Sequence, residues 1–96
     1  MSLRFEWDDA KNRANRKRHG VSFEEARTVF LDENARLIAD PDHSAAEDRF
    51  LLLGLSLRLR LLVVRHCCRQ SDEVVRIISA RRADPTERRD YARWLK

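Results

Sequence analysis

Three segments decide the fold: Arg49-Phe50-Leu51-Leu52-Leu53-Gly54-Leu55-Ser56-Leu57, Leu59-Arg60-Leu61-Leu62-Val63-Val64-Arg65-His66-Cys67 and Val74-Val75-Arg76-Ile77-Ile78-Ser79-Ala80. Each is strand-sized and rich in Leu, Val and Ile. Gln70-Ser71-Asp72-Glu73 joins the second to the third as an ordinary polar turn. The connection over residues 57–60 has no Gly, Asn or Asp to favour a tight hairpin. Strands joined this closely run antiparallel, because a parallel return needs a long crossover. Side-chain alternation sets Val74, Arg76, Ile78 and Ala80 on one face and Val75, Ile77, Ser79 and Arg81 on the other. In the strand before, it sets Leu59, Leu61, Val63 and Arg65 against Arg60, Leu62, Val64 and His66.

Upstream, residues 36–39 read as a further short strand, and Asp40-Pro41-Asp42-His43-Ser44 as a turn. Ser22 with Glu25 three residues on forms a capping-box pattern, and Phe23, Ala26 and Phe30 fall at helical spacing, so a helix is expected over 23–31. Val21 is placed to staple it against Ala26. A helix is also expected over 9–18, with Asp8 as N-cap and Gly20 closing it, laying Ala10 and Ala14 on the core. Phe5-Glu6-Trp7 is a short apolar entry suited to an edge strand. Downstream, Asp84-Pro85-Thr86-Glu87 supplies an N-cap, a Pro at the first helical position and a Glu at the third, opening a helix to about Leu95. The expectation is an α+β fold in one domain over residues 1–96: two N-terminal helices, an antiparallel sheet of about four strands, and a C-terminal helix.

Composition bounds the function. Ninety-six residues suffice for one core, and 38 % charged against 43 % hydrophobic residues is polar but globular. The net charge of +4 divides unevenly. Residues 1–48 hold eight basic and eleven acidic side chains (net −3), and residues 49–96 hold twelve and five (net +7). Seventeen of the twenty basic residues are arginine, whose planar fork suits phosphate and carboxylate, although GC-rich coding alone also favours arginine. The sequence has no signal-peptide pattern and no apolar run of membrane-spanning length, so a cytoplasmic protein is expected. Cys67 and Cys68, adjacent and alone, build neither a disulfide framework nor a four-ligand zinc site, and packing is the simpler role for them. Asp40, Asp42 and His43 have only generic ligand spacing. No metal or cofactor is expected.

Polar residues cluster at the strand ends: Arg65, His66 and Arg69 leave one strand, and Arg81 and Arg82 leave the next. Antiparallel pairing sets Arg76, rather than Arg81, nearer to Arg65 and His66, and leaves open how Arg81 joins them. Arginine with histidine is what RNA scission needs. A base takes the ribose 2′-hydroxyl proton, an acid protonates the departing 5′-oxygen, and cations hold the extra charge on phosphorus. Histidine titrates near neutrality and serves either role. Of the three histidines, His66 is the best placed for catalysis, with a core-edge histidine bonded to a carbonyl as the bland alternative. His19 suits a helix C-terminus at least as well as it suits catalysis. His43 reads as a solvated loop residue upstream of Glu47 and Arg49. The run from Lys11 to Arg18 carries no acid, so an anionic partner is as plausible there as a solvated helix face.

Several segments together resemble the BrnT toxin family. They are Phe5-Glu6-Trp7-Asp8, Lys11, Asn15 and His19-Gly20-Val21-Ser22-Phe23-Glu24-Glu25-Ala26. The likeness continues through Asp42-His43-Ser44, Glu47, Arg49, Gly54-Leu55-Ser56, His66 with Arg69 and Arg76-Ile77-Ile78-Ser79-Ala80-Arg81, and ends at Glu87, Arg88 and Tyr91. It spans almost the whole chain in order. The family implies a RelE-like fold and a metal-independent RNA endonuclease that inhibits translation. It also implies neutralisation by a BrnA-type antitoxin in a hetero-oligomer, with operator DNA reached only through that antitoxin. Carried over, Lys17, His66, Arg69 and Arg81 fall at or near family positions suited to catalysis or RNA binding. Together with the reading of the residues themselves, this makes His66, Arg69 and Arg81 the expected catalytic residues. Lys11, Lys17, His19, Arg76 and Arg82 are the expected RNA-binding residues, and His43, Glu47 and Arg49 are further candidates. Cys68 and Leu59 depart from the family pattern, the latter where a turn glycine is common. The competing reading is a non-catalytic module that binds nucleic acid, or an antitoxin, through the same arginines.

Overall fold

The computed structural model describes residues 3–40, 49–69 and 73–95. Its elements are β1 (Arg4–Glu6), α1 (Asp9–His19), α2 (Phe23–Thr28) with a 3-10 turn (Val29–Leu31), β2 (Arg36–Ile38), β3 (Arg49–Leu55), β4 (Leu61–Arg69), β5 (Val74–Arg82) and α3 (Pro85–Trp94). Strands β2 to β5 form the expected antiparallel meander. The sheet nevertheless has five strands, in the order β1-β5-β4-β3-β2, and is mixed rather than antiparallel. The fifth is β1, which pairs parallel to β5 with Phe5 opposite Val75. Its three residues bring Phe5 to the core, and its partner lies about seventy positions downstream, beyond the reach of any local signal.

The helix signals act as the side-chain chemistry directs. Asp8 accepts from the Lys11 N–H at 3.0 Å, and Gly20, at φ +70°, closes α1 with its own N–H on the Arg16 carbonyl. At α3 the capping box is complete: Asp84 accepts from the Glu87 N–H at 2.8 Å, and Glu87 accepts from the Asp84 N–H at 2.9 Å. At α2 only half of it forms. Ser22 accepts from the Glu25 N–H, but the Glu25 carboxylate turns inward to the Ser56 hydroxyl (2.7 Å) and to Arg60 Nε (2.9 Å) and Nη2. Those partners hold the buried carboxyl below its ordinary range, Arg60 contributing most. They also tie the β3–β4 hairpin to α2.

The α1 packing corrects the sequence reading. Ala10 and Ala14 are exposed, and Asn12 and Asn15 are buried instead. Asn15 Nδ2 donates to the Val21 and Ala80 carbonyls (2.8 and 2.9 Å), and its Oδ1 accepts from the Ala80 N–H (3.2 Å). Asn12 accepts from the Phe23 N–H and donates to Glu24. β1 stops at Arg76, so Asn15 takes over the edge of β5 where strand pairing ends.

Two cores result. Val21, Phe23, Ala26 and Val29 pack on Leu52, Leu62, Val64, Val75, Ile77 and Ala80 on one face of the sheet. On the other face Tyr91 of α3 packs on Leu51, Leu53 and Val63. Its hydroxyl donates to Asp32 at 2.7 Å, and burial with that carboxylate pushes the phenol up to about 12. Gly54 leaves no room for a side chain, since a Cβ there would stand 2.7 Å from Ala35 Cβ. The hairpin tip that lacked turn residues is made with Leu59 at φ +63°, a conformation costing a β-carbon-bearing residue on the order of 1 kcal/mol.

One irregularity rearranges the predicted faces. Arg65 pairs with Ser79 but His66 pairs with Ile77, so Ile78 is an extra residue in β5. Simple alternation had put Arg76 and Arg81 on opposite faces. The bulge restores them to one, Arg76 opposite Cys67 and Arg81 opposite Val63.

Candidate functional site

On the face shared by Arg49, Arg65, Arg69, Arg76 and Arg81, α3 packs over Leu51, Leu53 and Val63, with Leu55 and Leu61 partly buried beside them. The remainder is open, and α1 flanks it along the β5 edge. Lys11 and Arg18, seven residues apart, fall on one side of that helix, with His19 beside Arg18. Two adjoining hollows result. One, of about 340 Å³, is lined by Arg18 and His19 from α1, Arg65 from β4, Ser79 and Arg81 from β5, and apolar side chains between them. The other, of about 460 Å³, is lined by Lys11, Arg49, Cys67, Cys68, Arg69, Arg76 and Ile78.

Carboxylates fix the guanidinium groups. Arg65 is held by Asp40 through two bonds, Nε to Oδ2 at 3.1 Å and Nη2 to Oδ1 at 3.2 Å. Arg81 forks onto Glu87 end-on, through Nη1 to Oε1 at 2.8 Å and Nη2 to Oε2 at 3.0 Å. This bond keeps the Glu87 carboxyl below and the Arg81 guanidinium above their usual ranges. Arg76 and Arg69 converge on Glu6 Oε2, at 2.8 and 3.2 Å. Each carboxylate restricts rotamers in a side chain that would otherwise be floppy, at a place where a phosphate could also bind.

His66 lies elsewhere. Its ring is 4 % exposed on the opposite, helix-covered face, edge-on to Phe30 at 4.9 Å and tilted against Phe50 at 5.9 Å. Nδ1 stands 3.2 Å from the Val64 carbonyl. Burial pushes its pKa down, the Val64 bond opposing this. Among the described residues, the histidine that shares a hollow with Arg81 is His19.

Of the remaining candidates, Lys11, Arg49, Arg69, Arg76 and Arg81 stand on the open face. Arg82, opposite Leu62, points to the other face, and Lys17 is exposed on α1 but lines neither hollow. His43 and Glu47 lie outside the described residues. Asp40, whose spacing to Asp42 and His43 is only generic for a metal, is engaged by Arg65. Among the described residues no three His, Cys, Asp or Glu side chains converge as a metal set, and no helix is long and apolar enough to cross a membrane. The sequence reading took Arg18 only as the end of the basic run from Lys11, did not single out Ser79, and did not foresee the three anchoring carboxylates. Arg18 was within reach, one heptad from Lys11, but the carboxylates come from β1, the end of β2 and α3 and meet the arginines only in the fold.

Residues 7–87 match the family model described as the ribonuclease toxin BrnT of type II toxin–antitoxin systems. No curated protein sequence matches the chain. Among solved structures, the fold is similar to that of the Brucella abortus ribonuclease toxin BrnT, with a TM-score of 0.65 and 21 % identity, over 86 % of this chain and 99 % of that one. With four-fifths of its length matched in order, the chain belongs to the BrnT family of ribonuclease toxins of type II toxin–antitoxin systems.

Proposed function

We propose that this chain is a metal-independent endoribonuclease that cuts RNA on the open basic face. The observation that carries the reading is a single hollow holding Arg18, His19, Arg65, Ser79 and Arg81. The imidazole of His19 takes the 2′-hydroxyl proton as that oxygen attacks the adjacent phosphorus. The P–O5′ bond breaks, leaving a 2′,3′-cyclic phosphate, and the imidazolium returns its proton to the departing 5′-oxygen. Arg65 and Arg81 hold the charge that builds on the phosphorane. Lys11, Arg69 and Arg76 bind flanking phosphates in the adjoining hollow. His66 has no place in this scheme, because its ring faces the other side of the sheet.

Membership of a type II system implies a protein antitoxin and an RNA target. A BrnA-type antitoxin, a hetero-oligomer that reaches operator DNA through it, inhibition of translation and action in the cytoplasm complete the proposal. The test is cleavage of an RNA oligonucleotide in EDTA, beside one with a 2′-deoxy sugar at the cut site. Wild-type protein and His66→Gln should cut the first, His19→Ala and Arg81→Ala should lose a hundredfold or more, and none should cut the second. Cutting of the deoxy substrate, or a need for Mg²⁺, defeats the mechanism. Salt-sensitive binding with no product on long incubation would instead make the protein a non-catalytic binding module.

A further inference from the structure

Four leucines stand in water on the side of the molecule away from the basic face: Leu3 is 48 % exposed, Leu31 70 %, Leu57 69 % and Leu59 79 %. They rim two hollows of about 600 and 210 Å³ that share Thr28, Leu31 and Leu57, with Phe5 and Phe30 in the floor. No residue of these hollows lines either basic one. Scattered surface leucines need no explanation, but a contiguous apolar groove with aromatic walls does.

The hairpin tip adds a second observation. Leu57-Arg58-Leu59 has leucines where a turn favours Gly, Asn or Asp, and Leu59 sits at φ +63°, a backbone conformation that side chains larger than hydrogen rarely adopt. Folding alone selects against that residue there. Its side chain, the most exposed of the large apolar ones among the described residues, gains little from burial.

The surrounding charge identifies the occupant's chemistry. Arg27 lines the larger groove, and Arg58, 73 % exposed and 3.8 Å from the Glu25 carboxylate, lies between the two tip leucines in the chain without lining either hollow. The one acid in the lining, Asp32, is already engaged by Tyr91 and by the Leu55 and Asn34 N–H groups. We propose that this groove anchors the antitoxin through a segment with an apolar stripe flanked by acidic residues, behind the RNA-cutting face rather than on it. A helix laid in a groove is the common form of such recognition. The inference rests on the toxin–antitoxin reading but not on the cutting mechanism.

The test uses the full chain co-expressed with the antitoxin of its own operon, with affinity, thermal stability and RNA cleavage measured in parallel. Leu31→Asp should weaken antitoxin binding at least about tenfold. Leu59→Gly, which removes the side chain and relieves the backbone, should weaken it several-fold with an unchanged or higher Tm. Both variants should cut RNA like wild type. Wild-type affinity in both variants would falsify the proposal. So would failure of the antitoxin to bind the wild-type chain, or its complete displacement by an RNA oligonucleotide. If the wild-type chain cuts no RNA but both variants still lose the antitoxin, the nuclease mechanism fails and the docking site stands.

Discussion

Glu87 does two things with one carboxylate. It closes the capping box of α3 and grips both Arg81 nitrogens. Arg81 is half-exposed, so the pair contributes less than about 1 kcal/mol to stability after solvent screening. Its greater effect is on orientation. Glu87→Gln should lower the RNA cleavage rate about tenfold with a smaller change in RNA affinity, as single-turnover kinetics against binding titration would show. His66 carries a different dependence. Burial depresses its folded pKa, so the unfolded chain binds the proton more readily. Stability is therefore complete above the unfolded value of about 6.5 and declines as pH falls below it. His66→Phe should flatten that decline in denaturant titrations between pH 7 and pH 5 and leave the pH profile of RNA cleavage unmoved. A shifted cleavage profile would return His66 to the catalytic site.

At the scale of elements, Asn15 binds α1 to β5. Asn15→Ala leaves the Ala80 N–H and two carbonyls without their partner in a buried place, and should cost about 2–4 kcal/mol. Hydrogen exchange at the Ala80 amide should rise before that of the β3–β4 ladder. Much of the architecture was legible because its signals are local. The three long strands, the caps at Asp8, Ser22 and Asp84, and the αL glycine at Gly20 each declare themselves within a few residues. What escaped is non-local. Phe5-Glu6-Trp7 suggests an edge strand, but not that it joins the sheet parallel to a strand far along the chain. The asparagines of α1 look like surface residues until the edge of β5 supplies their backbone partners. The site followed the same division. The arginines at the strand ends were visible by type, and alternation already set Arg65 and His66 on opposite faces, but clustering along the chain was read as clustering in space.

Across the whole molecule the two faces of the sheet divide the work. One buries Phe23, Val29, Ile77 and His66 under helices, and the other presents arginine to solvent beside α3. RNA binding should be steeply salt-dependent, and removing one phosphate contact with Arg76→Ala should flatten the slope of log affinity against log salt by about 0.7. An unchanged slope would place the RNA elsewhere. The arrangement depends on Ile78. Arg76 and Arg81 are an odd number of positions apart, and an unbroken strand would send one of them through the sheet to the wrong side. The extra residue works as a parity correction, so the count between the two arginines is constrained as firmly as their identities. A relative that keeps both arginines at this spacing must also keep a bulge between them. One whose arginines are separated by an even number can run straight.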